Sequence, residues 1–151
     1  MLHLPNSIPS AWYSTTDPSS FATFLSLSDI ILLSLPSTSA TTRIINAKTI
    51  AYLKPSTILV NVGRGNAIDT DALVAALDDG KIAGAVLDVT DPEPLPDGHT
   101  LFGRKNVIIT PHLSGFASNY QDRVVDILIA NVDRYNEGKE LLNVVDRDRG
   151  Y

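Results

Sequence analysis

Three residues able to bind and protonate a small carboxylic acid, Arg64, Glu93 and His112, each follow an apolar run in the chain. The runs are Ile58 to Val62, Ala85 to Val89 and Val107 to Thr110. A guanidinium grips a carboxylate through two parallel N–H donors, and an imidazole both gives and takes a proton near neutral pH. A carboxylate beside that imidazole fixes its orientation and favours its protonated form. Residues far apart in sequence converge when they stand just past the carboxyl ends of strands in one parallel sheet, because those ends line a single crevice.

The elements that must place them are legible from pattern and punctuation. Asp29-Ile-Ile-Leu-Leu-Ser-Leu35 is an apolar run closed by Pro36, which cannot donate to a sheet ladder. A short helix over Phe21 to Leu27 leads into it. A second helix fits Asn46 to Leu53, with Asn46 as N-cap, Ile50 and Leu53 on one face and Pro55 beyond its end. A third has Asp69 or Thr70 as N-cap, Asp71 in its first turn, Leu73, Val74 and Leu77 inward and Gly80 at its end. A last, long helix runs from about Ser118 to Gly138, with Val125, Leu128, Ile129, Val132 and Tyr135 at helical spacing.

Strands alternating with helices predict an α/β fold, a partial doubly wound, Rossmann-like parallel sheet covered on both faces and followed by a long carboxyl-terminal helix. Pro5 to Ser20 is dense in Pro, Ser and Thr and reads as loop, and Pro92, Pro94 and Pro96 mark a rigid loop. The expected divisions are 1–27 as an irregular start with its lead-in helix, 28–117 as the partial nucleotide-binding sheet, and 118–151 as helix and tail.

Composition narrows the function classes. The chain has 151 residues, 44% of them hydrophobic, which suits one core. A net charge of −5 with scattered Lys and Arg offers no footprint for a nucleic-acid backbone. The absence of cysteine excludes disulfides and thiolate metal sites, and no metal-ligand pattern is evident. No apolar run approaches the roughly 20 residues that span a bilayer, and Met1 to Pro9 lacks the features of a signal peptide. The expected setting is soluble and cytoplasmic.

Each candidate taken alone has an ordinary reading. Arg64, in Asn61-Val-Gly-Arg-Gly65, equally fits a surface Arg in a turn whose glycines permit unusual backbone angles or the approach of a ligand. His112 after Thr110-Pro111 fits a hydrogen-bonded loop residue, and Glu93 between two prolines fits a solvated acid. Asp88 differs, because a carboxylate inside Ala85-Val-Leu-Asp-Val89 must be partnered if buried.

Taken together, Ser34-Leu-Pro36 with Thr41, Asn61-Val-Gly-Arg-Gly65, Leu87-Asp-Val89, Asp91-Pro-Glu-Pro-Leu-Pro96 and Thr110-Pro-His112 closely resemble the D-isomer-specific 2-hydroxyacid dehydrogenases, in order and from Ser28 onward. The resemblance implies an NAD- or NADP-dependent oxidoreductase acting on the CH–OH group of a small 2-hydroxy acid, or reducing the 2-oxo acid. It assigns the substrate carboxylate to Arg64, proton transfer to His112 and orientation of the imidazole to Glu93. It lines the dinucleotide with Leu35, Pro36, Thr41, Val62, Gly63, Arg64, Asp88, His112 and Gly115, with Asp88 against the nicotinamide carboxamide. A homodimer through the cofactor domain is also implied.

The chain departs from that family in its cofactor turn, in the acid that would hold a ribose and in the family's separate substrate domain, which is not recognisable in these residues. It contains no Gly-x-Gly-x-x-Gly turn, the element whose amides and helix N-terminus receive a pyrophosphate; Gly63 and Gly65 have the first spacing, but the sixth position is Ile68. Nor does it show the acidic residue that would hold an adenosine ribose. The chain thus resembles the carboxyl-terminal half of such an enzyme, starting inside its cofactor domain. Two outcomes are open at this level: a truncated chain of a working enzyme, or an inactive fragment serving as a binding or interaction protein. On the first, the isolated chain is expected to bind dinucleotide weakly and to expose an edge and one apolar face of its first strand.

Overall fold

The computed structural model describes residues 9–148 and 150. The part of the expected irregular start that falls on residues 1–8 lies outside them. Four parallel strands form one sheet in the order β1 (Ile30–Leu33), β2 (Ile58–Asn61), β3 (Gly84–Leu87) and β4 (Val107–Ile109). Register follows from the pairs Ile30 with Ile58, Ile58 with Gly84, and Ala85 with Val107. Each strand is shorter than its apolar run, yet the bonding continues past its end. Val62 N donates to Leu33 O, Asp88 N to Asn61 O and Thr110 N to Leu87 O, each at 2.9 Å. The four carboxyl ends therefore stay aligned.

Local chemistry explains the helices. Helix α1 (Pro18–Leu27) starts three residues earlier than its apolar pattern suggests. The Asp17 carboxylate accepts from Ser19 N and Ser20 N, and Pro18 at the first position gives up an amide that a helix cannot pair anyway. The expected loop residues Pro18 to Ser20 are thus its first turn. Helix α2 (Ala47–Ile50) has a capping box: Asn46 Oδ1 accepts from the amides of Lys48 and Thr49, and the Thr49 hydroxyl accepts from Asn46 N at 2.8 Å. It ends before Leu53 because Tyr52 N and Leu53 N turn back to the carbonyls three residues earlier, tightening the last turn. Helix α3 (Thr70–Asp78) is capped by Asp69, which accepts from Ala72 N at 3.1 Å.

The core lies on one face of the sheet. Ile31, Leu33, Leu59, Ala85 and Leu87 point into it and meet Leu25 of α1, Ile50 of α2 and Leu73, Ala76 and Leu77 of α3. Burying a side chain such as Leu59 contributes about 1.5–3 kcal/mol. The expected cover on both faces is realised on this face only. On the other, Ile30 is 64% and Leu32 61% exposed, and Ile108 is 60% exposed. The strand β1 is also an edge strand. This is the exposed edge and apolar face expected of a partial sheet.

The long helix α4 (Tyr120–Asn136) buries none of its residues. Val125, Leu128, Ile129, Val132 and Tyr135, which stand at helical spacing, are all exposed. Helical spacing identifies an apolar stripe, but the surface that a stripe covers belongs to the tertiary structure, and no described residue buries this one. Among the described residues, no helix is long and apolar enough to cross a membrane.

Candidate functional site

Glu93 and His112 meet. His112 Nδ1 lies 2.6 Å from Glu93 Oε1, and both side chains are about half exposed. With the imidazole neutral, Nδ1–H donates to the carboxylate and Nε2 is left as the acceptor; with it charged, Nε2 carries a transferable proton. His112 has φ +55, uncommon for a residue with a Cβ, and such backbone strain is worth on the order of 1–3 kcal/mol. Its surroundings supply the restraint. His112 N donates to the carbonyls of Asp88 and Thr110, each at 3.0 Å.

Asp88, at the end of β3, is only 5% exposed and fully partnered. Its Oδ1 accepts from the Thr110 hydroxyl at 2.5 Å and from Leu113 N at 2.8 Å, and its Oδ2 accepts from Ser114 N at 2.8 Å. These bonds, the Thr110 hydroxyl foremost and then the Ser114 side chain, hold the carboxyl well below the usual carboxylate range. Thr110 and the amides of Leu113 and Ser114 are functional groups that the sequence reading missed. The signal was present, as a hydroxyl next to a proline at a strand end opposite a buried acid.

Arg64 stands at the end of β2, on the same edge of the sheet but exposed, and its Nη1 donates to Gly63 O at 2.7 Å. It does not line the cavity that Glu93 and His112 share. The turn around it is built by Asn61, wholly buried, whose Nδ2 donates to Arg64 O at 2.9 Å and whose Oδ1 accepts from Gly63 N at 3.1 Å. A carboxamide in that position folds the chain back on itself. The two glycines serve close packing and not unusual angles, since neither has positive φ. A Cβ on Gly63 would lie 2.7 Å from Leu35 N, and one on Gly65 would lie 1.9 Å from Thr90 O. The turn is thereby wedged between the ends of β1 and β3.

The remaining sequence candidates lie along that edge. Leu35, Pro36 and Val62 are half-buried and Gly63 is buried. The Thr41 hydroxyl donates to Pro36 O at 2.6 Å and accepts from Thr38 N at 2.9 Å, closing the loop after β1. Gly115 is exposed, and a Cβ there would meet nothing within 4 Å.

Beside the pair lies a cavity of about 720 Å³ with Asp88, Thr90, Glu93 and His112 at one end and Leu95, Leu101, Phe102, Val107 and Ile109 along its walls. Next in sequence to the lining residue Gly103, Arg104 has Nη1 and Nη2 2.6 and 3.2 Å from the Asp78 carboxylate, and its Nε donates to Thr100 O at 2.7 Å. The Arg104 hydrogen bond holds the Asp78 carboxyl below its ordinary value. An acid–base pair at the mouth of an apolar cavity, with an Arg on the same sheet edge, is a setting for proton transfer to a small organic acid.

Comparison with known proteins agrees. Residues 6–114 match the family model for the D-isomer specific 2-hydroxyacid dehydrogenase NAD binding domain. An uncharacterized protein of the proB 3′ region of Corynebacterium melassecola is 47% identical over 123 residues, 82% of this chain and 40% of that protein. The glyoxylate reductase of Thermococcus litoralis is 37% identical over 128 residues, 85% of this chain and 38% of that one. The crystal structure of a D-isomer specific 2-hydroxyacid dehydrogenase from Xanthobacter autotrophicus Py2, in complex with NADPH and MES, superposes with a TM-score of 0.82 at 39% identity, covering 89% of this chain and 55% of that one. The chain spans about 40% of the length of the curated relatives it matches. By fold and by sequence, this chain belongs to the D-isomer specific 2-hydroxyacid dehydrogenases and corresponds to their NAD-binding domain.

Proposed function

We propose that this chain carries the acid–base half of an NAD(P)-dependent oxidoreductase acting on a small D-2-hydroxy acid or its 2-oxo counterpart. The observation that carries this reading is the 2.6 Å Glu93–His112 pair, set on the same edge of the parallel sheet as the Gly63-Arg64-Gly65 turn. In this reading Arg64 binds the substrate carboxylate bidentately, because a planar fork of donors matches two carboxylate oxygens. His112 Nε2 takes the hydroxyl proton when the acid is oxidised and returns it to the oxygen when the 2-oxo acid is reduced. Glu93 holds Nδ1–H, so that Nε2 faces the substrate.

A bound nicotinamide would supply or accept the hydride. Its ring would lie against the strand ends, between Leu35, Pro36, Val62, Gly63 and Gly115. The open space at Gly115 suits a flat group there. Its pyrophosphate finds no Gly-x-Gly-x-x-Gly turn within these 151 residues. Turnover and dinucleotide affinity of the 151-residue chain alone are therefore expected to be low. The relatives are named for glyoxylate and hydroxyphenylpyruvate, which suits a compact 2-oxo acid whose third substituent varies.

The test is binding of oxamate, an unreactive 2-oxo acid analogue, followed by NMR on the isotopically labelled chain, with NADH and NADPH oxidation assayed against glyoxylate, hydroxypyruvate and pyruvate. Oxamate is expected to shift the Arg64 and His112 side-chain resonances, and Arg64→Ala to abolish the shift at His112. Unmoved resonances at millimolar oxamate, together with no 2-oxo acid-dependent oxidation, would overturn the reading.

A further inference from the structure

Three consecutive backbone amides of the His112 loop are anchored on one residue. His112 N donates to the Asp88 carbonyl, Leu113 N to Asp88 Oδ1 and Ser114 N to Asp88 Oδ2. The Thr110 hydroxyl adds a bond to Oδ1 from the other side of the loop. Successive amides that curl round a carboxylate form an anion nest, here with the anion supplied by the chain itself. Residues 111–118 are exposed and bury no apolar side chain, so packing does not set their path. The positive φ of His112 is accordingly held by these bonds.

We propose that Asp88 and Thr110 are positioning residues, which lock the His112 loop and thereby turn Nδ1 of the imidazole toward Glu93 and Nε2 outward. The inference rests on the acid–base role proposed for His112, but its structural content stands without turnover. It adds a second task to Asp88, separate from the nicotinamide contact that the family resemblance implies. An Asn cannot replace the carboxylate, because its NH2 would face an amide donor. Thr110→Val removes one donor and leaves the charge.

The experiment is NMR on the 151-residue chain and on Asp88→Asn, Thr110→Val and Thr110→Ser. Long-range imidazole 1H–15N spectra read the tautomer of His112, and amide exchange reads the loop. In the parent chain the neutral imidazole is expected to carry its proton on Nδ1. In Asp88→Asn the Leu113 and Ser114 amides are expected to exchange at least tenfold faster, with Leu59 unchanged, and the tautomer to move toward the Nε2–H form that free histidine favours. Thr110→Val is expected to move both readouts in the same direction by a smaller amount, and Thr110→Ser to restore them. A faster loop with an unchanged tautomer would leave Asp88 merely structural and overturn the proposal, as would no change in either readout. If Asp88→Asn does not fold, Thr110→Val decides alone, and an unmoved tautomer there overturns it. Failure of oxamate binding bears on the functional reading, whereas these spectra bear on the clamp.

Discussion

His112 Nδ1 and Glu93 Oε1 lie 2.6 Å apart although both side chains are about half open to solvent. A half-exposed pair contributes little to stability, in the range of about 0–1 kcal/mol, because water competes for both partners. In the proposed function its value lies elsewhere, in setting which imidazole nitrogen faces a substrate. Glu93→Gln is therefore expected to leave the urea midpoint nearly unchanged. In an active polypeptide carrying these residues, it is expected to lower kcat for NADH-linked 2-oxo acid reduction by roughly tenfold or more, since positioned acid–base catalysis is worth about 10²–10⁴. KM for the acid should stay within about threefold. An unchanged kcat removes Glu93 from the mechanism.

The Gly-Arg-Gly turn should not tolerate a methyl group. A Cβ at Gly65 would stand 1.9 Å from the carbonyl oxygen and 2.1 Å from the carbonyl carbon of Thr90, which are backbone atoms that cannot rotate away. Gly65→Ala is expected to destabilise the chain by about 1–3 kcal/mol or more. Denaturant unfolding checks this, and a loss below about 0.5 kcal/mol would show that the contact between the ends of β2 and β3 is looser than described.

Acid should weaken the fold partly through Asp88. Its carboxyl is held below the ordinary range, so below the unfolded-state value of about 3.9 the unfolded chain binds more protons than the folded one. The stabilisation is therefore fully present above roughly pH 4 and is lost as pH falls further, toward the folded-state value. In Asp88→Asn that contribution is absent at every pH. The stability gap between parent and variant should narrow as pH drops from 5 to roughly 2.5, measured by urea midpoints at each pH. A gap that stays constant over that range argues against the hydrogen-bonded carboxylate.

Two leucines on opposite faces of the sheet should respond differently to the same truncation. Leu59 is fully buried and Leu32 is 61% exposed. Leu59→Ala is expected to cost about 2–5 kcal/mol, as a cavity in a packed core does. Leu32→Ala should change stability by no more than about 0.5 kcal/mol, as is usual for surface sites. Equal losses would mean that the second face is covered in solution.

How much of this was visible in the amino-acid order depends on the range of the interaction concerned. Strand and helix identities were legible because hydrophobic period and capping act within a few residues: Asn46 and Asp69 cap the helices they precede, and the apolar runs are the strands. The candidate trio was legible for the related reason that a parallel sheet collects its strand ends on one edge. Resemblance to a known family then joined Arg64, Glu93 and His112 into one chemistry, and the match over residues 6–114 bears out that membership.

Other features were decided only in three dimensions. Gly63 and Gly65 invited a reading as unusual angles; neither has positive φ, and their neighbours Leu35 and Thr90, distant in sequence, leave no room for a Cβ. The start of α1 at Pro18, inside an apparent loop, depended on a carboxylate cap that outweighs a poor composition. The exposure of the stripe on α4 belongs to the tertiary structure too, because periodicity records what a surface could cover and not whether anything lies against it. The grip of Asp88 on three successive amides of the His112 loop joins groups about 25 residues apart. The residue order showed only that a buried acid needed partners, and the fold determined which amides they are.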